Sequence, residues 1–156
     1  MKIGIIIHSA TGNTYAVAQK LQQKLIAAGY EAEIEKLESS GGEQTDKNKI
    51  RLEKIPEIEK YDAFVFGGPV RGFSISPVLS AFLNEVKNFH GKKAACMVTQ
   101  SFSSPRLGGN RTIKQIQELC ESKGAKIIET GIVNWNNPRR ESMIYDVVEK
   151  ISKSFK

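Results

Sequence analysis

The chain has 156 residues, of which 40% are hydrophobic, and a formal net charge of +6 at pH 7. This length predicts a single domain over residues 1–156 with one substantial core. No apolar run approaches the ~18 residues that a membrane-spanning helix needs. The N-terminus leads directly into a strand-like run without a cleavage site, so we expect a cytoplasmic protein that does not engage a membrane.

The positive charge lies entirely in the second half of the chain. Residues 79–156 contain thirteen basic and seven acidic residues, whereas residues 1–78 contain ten of each. The basic residues are scattered, without a basic helix or interleaved aromatic residues, which argues against nucleic-acid binding. Cys96 and Cys120 fall on different predicted elements, and their separation in the sequence does not match that of the ligands in a metal-binding motif. We therefore expect both to be reduced thiols in the core.

Apolar runs and helical patterns alternate along the chain. Strands are predicted from the runs of buried-type residues, and helices from the apolar spacing with Gly29 and Gly124 as stop signals. The predicted elements are a strand over 2–8, a helix over 14–28, a strand over 30–37, a polar loop over 38–50, a short helical turn near Pro56, strands over 63–66 and 94–98, helices over 77–88 and 110–123, a strand over 126–135 and a last helix from about 144 to 155.

This alternation predicts an α/β fold with a five-stranded parallel sheet and helices on both faces. The less apolar second and fifth strands suit the two edges, which gives the strand order 2-1-3-4-5. In that order a crevice opens at the carboxyl ends of the first and third strands. The loops over 8–14, 67–76 and 99–110 are expected to meet there.

The first of these loops has the chemistry of a monophosphate site. Ser9, Thr11 and Thr14 offer hydroxyl groups, Asn13 offers an amide, and a helix begins immediately afterwards. Backbone N–H groups at a helix N-terminus bind phosphate. The loop has neither the Lys of a Walker A motif nor a G-x-G-x-x-G fingerprint. His8, at the end of the strand, either bonds the phosphate or has a structural role.

The second and third loops combine glycines with apolar side chains that would be exposed at strand ends. Val70 and Phe73 in one loop, and Phe102 in the other, suit a flat aromatic ligand, and Gln100 could meet its polar edge. The alternative for the second loop is packing of its own apolar residues, and for the third a mobile surface loop.

These motifs resemble the flavodoxin-like family. Ser9-Ala10-Thr11-Gly12-Asn13-Thr14 resembles its phosphate loop, and the run from Tyr61 to Pro69 resembles its third strand and the start of its flavin loop. The resemblance implies a three-layer flavodoxin-like sandwich and non-covalent flavin mononucleotide (FMN). It also implies a peptide that reorients toward the reduced ring, with Gly68 and Gly72 as candidates. The cofactor-binding residues it implies are Ser9, Ala10, Thr11, Gly12, Asn13, Thr14, Pro69, Val70, Arg71, Gly72, Phe73, Gln100, Ser101, Phe102, Gly108 and Gly109.

The chain departs from the electron carriers of that family in charge and in aromatic residues. The acidic carriers crowd carboxylates around the ring, whereas the second and third loops here contain Arg71 and Arg106, with Arg111 just beyond, and no Asp or Glu. Trp135 lies at a different strand end, where we expect it to be partly buried. Because reduced flavin carries negative charge, the arginines predict a less negative midpoint potential than in acidic carriers.

The sequence leaves three functions open. The first is an FMN-binding electron carrier of the flavodoxin type, and the second is an FMN-dependent NAD(P)H:quinone or nitro-compound reductase. The third is a flavin-free binding module on the same fold. The expected partner is accordingly a redox protein or a small molecule such as NAD(P)H or a quinone, and the oligomeric state is open.

Overall fold

The computed structural model describes residues 1–40, 50–101 and 108–156. Strands and helices alternate as the sequence predicts, and a short 3₁₀ turn at Ile58–Lys60 precedes the third strand. The elements in chain order are β1 (Lys2–Ile7), α1 (Asn13–Ala27), β2 (Glu31–Lys36), β3 (Ala63–Arg71), β4 (Ser74–Ile75), α2 (Pro77–Glu85), β5 (Lys93–Gln100), α3 (Gly109–Ser122), β6 (Lys126–Asn134) and α4 (Arg140–Ser154).

Five parallel strands form the body of the sheet in the order β2-β1-β3-β5-β6. In the numbering of the predicted strands this is 2-1-3-4-5, so the predicted order is confirmed, with β2 and β6 at the edges. Ile5 of β1 lies between Ile34 of β2 and Val65 of β3. This register aligns the carboxyl ends of β1, β3 and β5 at one edge of the sheet.

The prediction was wrong about where the third strand ends. It placed a loop from Gly67 to Ser76, but β3 continues to Arg71 and turns back into β4, a short antiparallel sixth strand. The connection is Gly72 and Phe73, with φ angles of 55° and 64°. Two-residue hairpins with positive φ at both positions match the twist of their strands. The fourth predicted strand is also longer, because β5 reaches Gln100.

Two hydrophobic clusters, one on each face of the sheet, hold the helices. On one face Ile3, Ile5 and Ile7 pack with α1 and α4, and on the other Ile6 packs with α2 and α3. The central strands are buried on both faces, which explains their uninterrupted apolar runs. Cys96 and Cys120 are free thiols buried in the second cluster, as expected.

The α2 helix begins with the cap that the sequence predicts. Ser76 Oγ accepts a hydrogen bond from the Leu79 N–H, and Pro77 occupies the first helical position. A proline at this position lacks only an N–H that would have no partner inside the helix. The cap therefore fixes where the chain leaves the hairpin and enters the helix.

A buried tyrosine at the start of β3 fills the space beside β1. Tyr61 is 1% exposed, and its hydroxyl, which has one proton to donate, lies within hydrogen-bonding distance of the carboxylates of both Glu33 and Glu35 on the edge strand. Burial, together with these carboxylates, raises the pKa of the Tyr61 hydroxyl. Gly4 is required opposite this ring, because a Cβ there would lie 2.7 Å from Tyr61 Cδ2.

The part of the chain that the structure describes contains neither a membrane-spanning helix nor a cluster of metal-binding side chains. None of its helices combines the length and the apolar character that crossing a bilayer would require. Nor do the described residues contain a group of three or more His, Cys, Asp or Glu side chains suited to a metal ion.

Substituting Gly4 tests the close packing of β1 against Tyr61. Gly4→Ala is expected to lower the free energy of unfolding by about 1–3 kcal/mol, because the added methyl group overlaps a buried ring that cannot move aside. Urea denaturation measures this. Gly68→Ala is the comparison, since its Cβ would first meet Leu79 Cδ2 at 3.3 Å, a contact that a small rotation relieves. Equal losses in the two variants would contradict the argument.

Candidate functional site

Three loops come together where β1, β3 and β5 end. The first, residues 8–12, connects β1 to α1. The second is the hairpin from β3 to β4, with its tip at Gly72 and Phe73, and the third follows β5 from Ser101 to Gly108. Phe102 and Arg106, both predicted in the third loop, lie outside the described residues.

The first loop presents a row of unpaired backbone donors. The N–H groups of residues 10–14 donate to no acceptor among the described residues. Ser9 Oγ accepts the next N–H, from Tyr15, at 3.1 Å, which closes the loop over the start of α1. Gly12 has a φ of 88°, which favours glycine, and Ala10, Thr11 and Gly12 are exposed. Such a row of N–H groups at a helix N-terminus is an anion site.

Thr14 lies deeper than the rest of the predicted phosphate residues. It is the second residue of α1, it is 1% exposed, and its Oγ1 lies 2.9 Å from Thr99 Oγ1 on β5. Only one of these two hydroxyls donates in that hydrogen bond, so the other keeps a proton that it can donate elsewhere. The pair ties the first loop to the strand that carries the third.

His8 connects the first loop to the second. Its ring is 7% exposed, and Nδ1 lies 3.0 Å from Oγ of Ser76, the residue that caps α2. The backbone N–H of His8 donates to the Gly67 carbonyl at 3.0 Å. These contacts give the Nδ1 side of the His8 ring a place in the framework, between the end of β1 and the start of α2.

The hairpin is held in place from two sides. Gln115 of α3 accepts a hydrogen bond from the Ile75 N–H at 2.8 Å through its Oε1. Gly108, with a φ of 108°, lies so close to the hairpin that a Cβ would stand 2.8 Å from Val70 Cγ1 and 2.9 Å from Phe73 Cα. Pro69 and Val70 are half-buried, whereas Arg71, Gly72 and Phe73 are exposed at the tip.

The end of β5 is fixed by a side-chain network that sequence reasoning missed. Gln100 is buried, and its Nε2 donates to Asn134 Oδ1 on β6. Gly109, at the start of α3, leaves no spare room beside this amide, because a Cβ there would lie 3.2 Å from both Nε2 and Oε1 of Gln100. Ser101 is exposed beyond it. The Gln100 amide therefore fixes the end of β5 through its hydrogen bond to Asn134, whether or not it also contacts a ligand.

The structure distinguishes the two glycines considered for a reorienting peptide. Gly68 is buried within β3 and paired with Val98 of β5, so its peptide is held by the ladder. Gly72 is exposed at the hairpin tip with a φ of 55°. Of the two, Gly72 keeps the conformational freedom that such a movement needs.

A fourth segment reaches the same edge and was not part of the predicted site. Trp135 follows β6 and is half-buried, as expected, and its N–H donates to the Gln100 carbonyl at 2.7 Å. The Arg140 guanidinium lies 4.7 Å from the centre of the Trp135 ring. The sequence signal was present as two adjacent arginines in a turn after a strand, but the strand order alone did not put that turn beside the end of β5.

The site fits a cofactor with one terminal phosphate and a flat ring. The unpaired N–H groups of the first loop suit the phosphate. The hairpin supplies a half-buried apolar group, Val70, and an exposed one, Phe73, that suit a ring. The predicted residues on the described part of these loops thus lie at one edge of the sheet, although Thr14 and Gln100 also serve the framework.

Comparison with solved structures places the fold among flavodoxins. Flavodoxin 2 from Bacillus cereus has a TM-score of 0.75 at 19% identity, and the match covers 99% of this chain and 97% of that one. The flavodoxin of Streptococcus pneumoniae TIGR4 has a TM-score of 0.72 at 14% identity, with 99% and 97% covered. The Trp repressor binding protein of Bacillus subtilis has 0.68 at 18%, with 99% of each chain covered. No curated protein matches the sequence.

A family model described as NADPH-dependent FMN reductase matches residues 1–139. The match includes all three loops and every strand of the sheet. The predicted resemblance to flavodoxin-like proteins is confirmed, and the prediction of FMN as the flavin is confirmed at the level of the family. The chain belongs to the NADPH-dependent FMN reductase family.

Proposed function

We propose that this protein binds FMN at the carboxyl edge of its sheet and uses it as an NAD(P)H-dependent reductase. The observation that carries the proposal is the row of backbone N–H groups over residues 10–14, which find no acceptor in the described chain. Unpaired donors at the positive end of a helix require an anion or water, and the family's flavin carries one phosphate monoester.

The first loop would hold the phosphate without a cationic side chain of its own. The N–H groups supply directional donors, and the exposed Thr11 hydroxyl and the Asn13 amide add to them. The α1 dipole favours negative charge at the same place. The Thr14 and Thr99 hydroxyls hold the start of α1 against β5, so the N–H groups keep their directions whether or not the site is filled.

The hairpin and the third loop would hold the ring. Val70 and Phe73 on the hairpin provide apolar contact, while Gln115 and Gly108 keep the hairpin against α3. When bound, the flavin supplies transfer of two electrons from a nicotinamide to an acceptor. The residues of the hairpin would contact the ring and orient it.

The charge around the site supports a reductase over an acidic electron carrier. No Asp or Glu occurs in residues 8–14, 67–76 or 99–110, whereas Arg71 and Arg111 are exposed beside the hairpin and at the start of α3. Positive groups stabilise a reduced, negatively charged ring and attract an anionic electron donor. NAD(P)H is such a donor.

The direct test is oxidation of NADPH by the purified, FMN-loaded protein with a quinone acceptor and no second protein. We expect steady turnover that requires FMN. A carrier would hold the same flavin and oxidise NADPH only after a separate reductase is added. A protein that stays colourless after incubation with excess FMN would contradict flavin binding itself.

Removal of the side-chain donors of the first loop tests the phosphate site. Thr11→Ala with Asn13→Ala is expected to weaken FMN binding by at least tenfold, since hydrogen bonds to a charged group contribute about 1.5–3 kcal/mol each. Quenching of flavin fluorescence on titration measures the affinity. Gln19→Ala, an exposed polar change further along α1, is the control and should leave the affinity unchanged. An unaltered affinity in the double variant would place the phosphate elsewhere.

Two glycines at opposite ends of α3 provide a matched test of the ring site. Gly108→Ala and Gly124→Ala both place a side chain at positive φ, with a Cβ 2.8 Å from Val70 Cγ1 or 2.7 Å from Asn88 Oδ1. Both variants should be less stable, but only Gly108→Ala displaces the hairpin and weakens FMN binding. Thermal unfolding and flavin titration together separate the two effects. Equal flavin affinities would show that the hairpin does not touch the ring.

Neutralising the arginines beside the ring should lower its midpoint potential. Two unit charges ~7 Å apart at an effective dielectric constant of ~20 interact by roughly 2 kcal/mol, and ~1.4 kcal/mol corresponds to about 30 mV for a two-electron couple. Arg71→Gln and Arg111→Gln are therefore each expected to make the potential more negative by tens of millivolts in a redox titration. Lys126→Gln, at the opposite end of the sheet, is the control. A wild-type potential as low as that of an acidic flavodoxin would contradict the charge argument.

A further inference from the structure

A groove runs between the outer sides of α1 and α4, on the opposite face of the sheet from α2 and α3. It has a volume of about 520 Å³. Ile144 and Val148 of α4, which are 3% and 7% exposed, form an apolar floor, and Ala27 lines the α1 side. None of the described residues that line the groove belongs to the three loops, so the candidate site makes no use of it.

An exposed aromatic side chain stands on the α4 wall of the groove. Tyr145 is 65% exposed, more than any other large hydrophobic residue in the described part of the chain. Tyrosine is enriched where proteins bind one another, because it buries a large ring while its hydroxyl keeps a polar partner. An exposed tyrosine beside an apolar floor is therefore typical of an interaction surface.

The two walls of the groove carry opposite charges. Lys20 and Lys24 are the only charged residues of α1, and both line the groove, whereas the charged residues that α4 contributes to it are Glu141 and Glu149. Lys20 Nζ lies 3.1 Å from Glu141 Oε2, and Lys24 Nζ lies 2.6 Å from Glu149 Oε1. The order of these contacts shows that the two helices run in the same direction, so a positive wall lies alongside a negative one.

The contacts within the chain leave part of this charge available. The side chains of Lys20 and Glu141 are 53% and 69% exposed. An ammonium group has three donors and a carboxylate has about four acceptor positions, so one contact between them does not use up either group. An exposed ion pair of this kind also contributes little to stability. Both groups can therefore meet a second charged partner.

We propose that this groove is the interface of a homodimer in which α1 of one copy lies over α4 of the other. A two-fold axis along the helices sets the positive wall of each copy against the negative wall of its partner. Lys20 of one copy then faces Glu141 of the other, and the two Tyr145 rings lie near the axis. An axis across the helices would instead set α1 against α1 and lysine against lysine. A two-fold contact uses the same patch on both copies, and this patch is self-complementary.

The size of the face sets the strength of the dimer. Each helix has 15 residues and is therefore about 22 Å long. Two such helices packed side by side offer roughly 400–500 Å², less than the ~800 Å² per partner of a standard interface. We expect a dissociation constant in the micromolar range. The inference is independent of the proposed flavin chemistry, because neither helix face belongs to the candidate site.

Sedimentation equilibrium of the full chain, from ~5 to ~500 μM, tests whether the dimer forms. We expect the mass to rise from the 17.3 kDa of one chain toward twice that value. Tyr145→Ala should weaken the dimer at least tenfold, since a central aromatic residue dominates such contacts. Ile55→Ala is the control, because Ile55 is 52% exposed on the α2 side of the sheet. A wild type that stays monomeric, or equal dissociation constants in wild type and Tyr145→Ala, overturns the proposal.

Exchange of charge between the two walls tests how the copies are arranged. Lys20→Glu and Glu141→Lys should each weaken the dimer at least tenfold, whereas an equimolar mixture should dimerise about as well as wild type, because every contact between copies is again between opposite charges. Lys114→Glu is the matched control on α3, since it makes the same change in charge and also breaks an exposed pair, with Glu118. Circular dichroism checks that each variant is folded. A folded Lys20→Glu that dimerises like wild type, or a mixture that stays monomeric, overturns the proposal.

Discussion

The parallel pairing of β1, β3 and β5 is the constraint from which the candidate site follows. Parallel strands run in one direction, so their carboxyl ends fall at one edge, and burial on both faces prevents any strand from slipping by a residue. Residues that are far apart in the sequence thereby become neighbours. The hydrogen bond between Thr14 and Thr99 joins the start of α1 to β5, and the one between His8 and Ser76 joins the end of β1 to the start of α2.

Close approach of backbones gives the edge its shape. Gly108 brings the start of α3 within contact of Val70 and Phe73, and Gly109 brings it beside the Gln100 amide. A side chain at either position would push the hairpin or the strand end away. The hairpin is further tied by Gln115. Phe73 keeps a φ of 64°, which costs a non-glycine residue about 1 kcal/mol, so the surrounding contacts must hold it in place.

Taken together, the loops at this edge are basic and contain no acidic residue. The first loop uses backbone donors and a helix dipole. The second loop and the start of α3 add exposed arginines, and the turn after β6 adds two more against the dipole of α4. No carboxylate lies in the three loops to offset them. A site of this kind attracts phosphorylated, anionic ligands, in keeping with the family to which the chain belongs.

The sequence by itself determined the strand order and the position of the polar loop that leads into α1, because both depend on local signals. Runs of Ile and Phe mark strands that are buried on both faces, and the hydroxyls, Gly12 and Asn13 mark the turn into α1. The tertiary structure alone decided the rest. The β4 strand exists only because Gly72 and Phe73 turn β3 back onto itself and α3 supports it. Gln100 became part of the framework through Asn134 on a neighbouring strand. Trp135 and Arg140 reached the site through a hydrogen bond to the end of β5, a contact between chain segments that no pattern of neighbouring residues encodes.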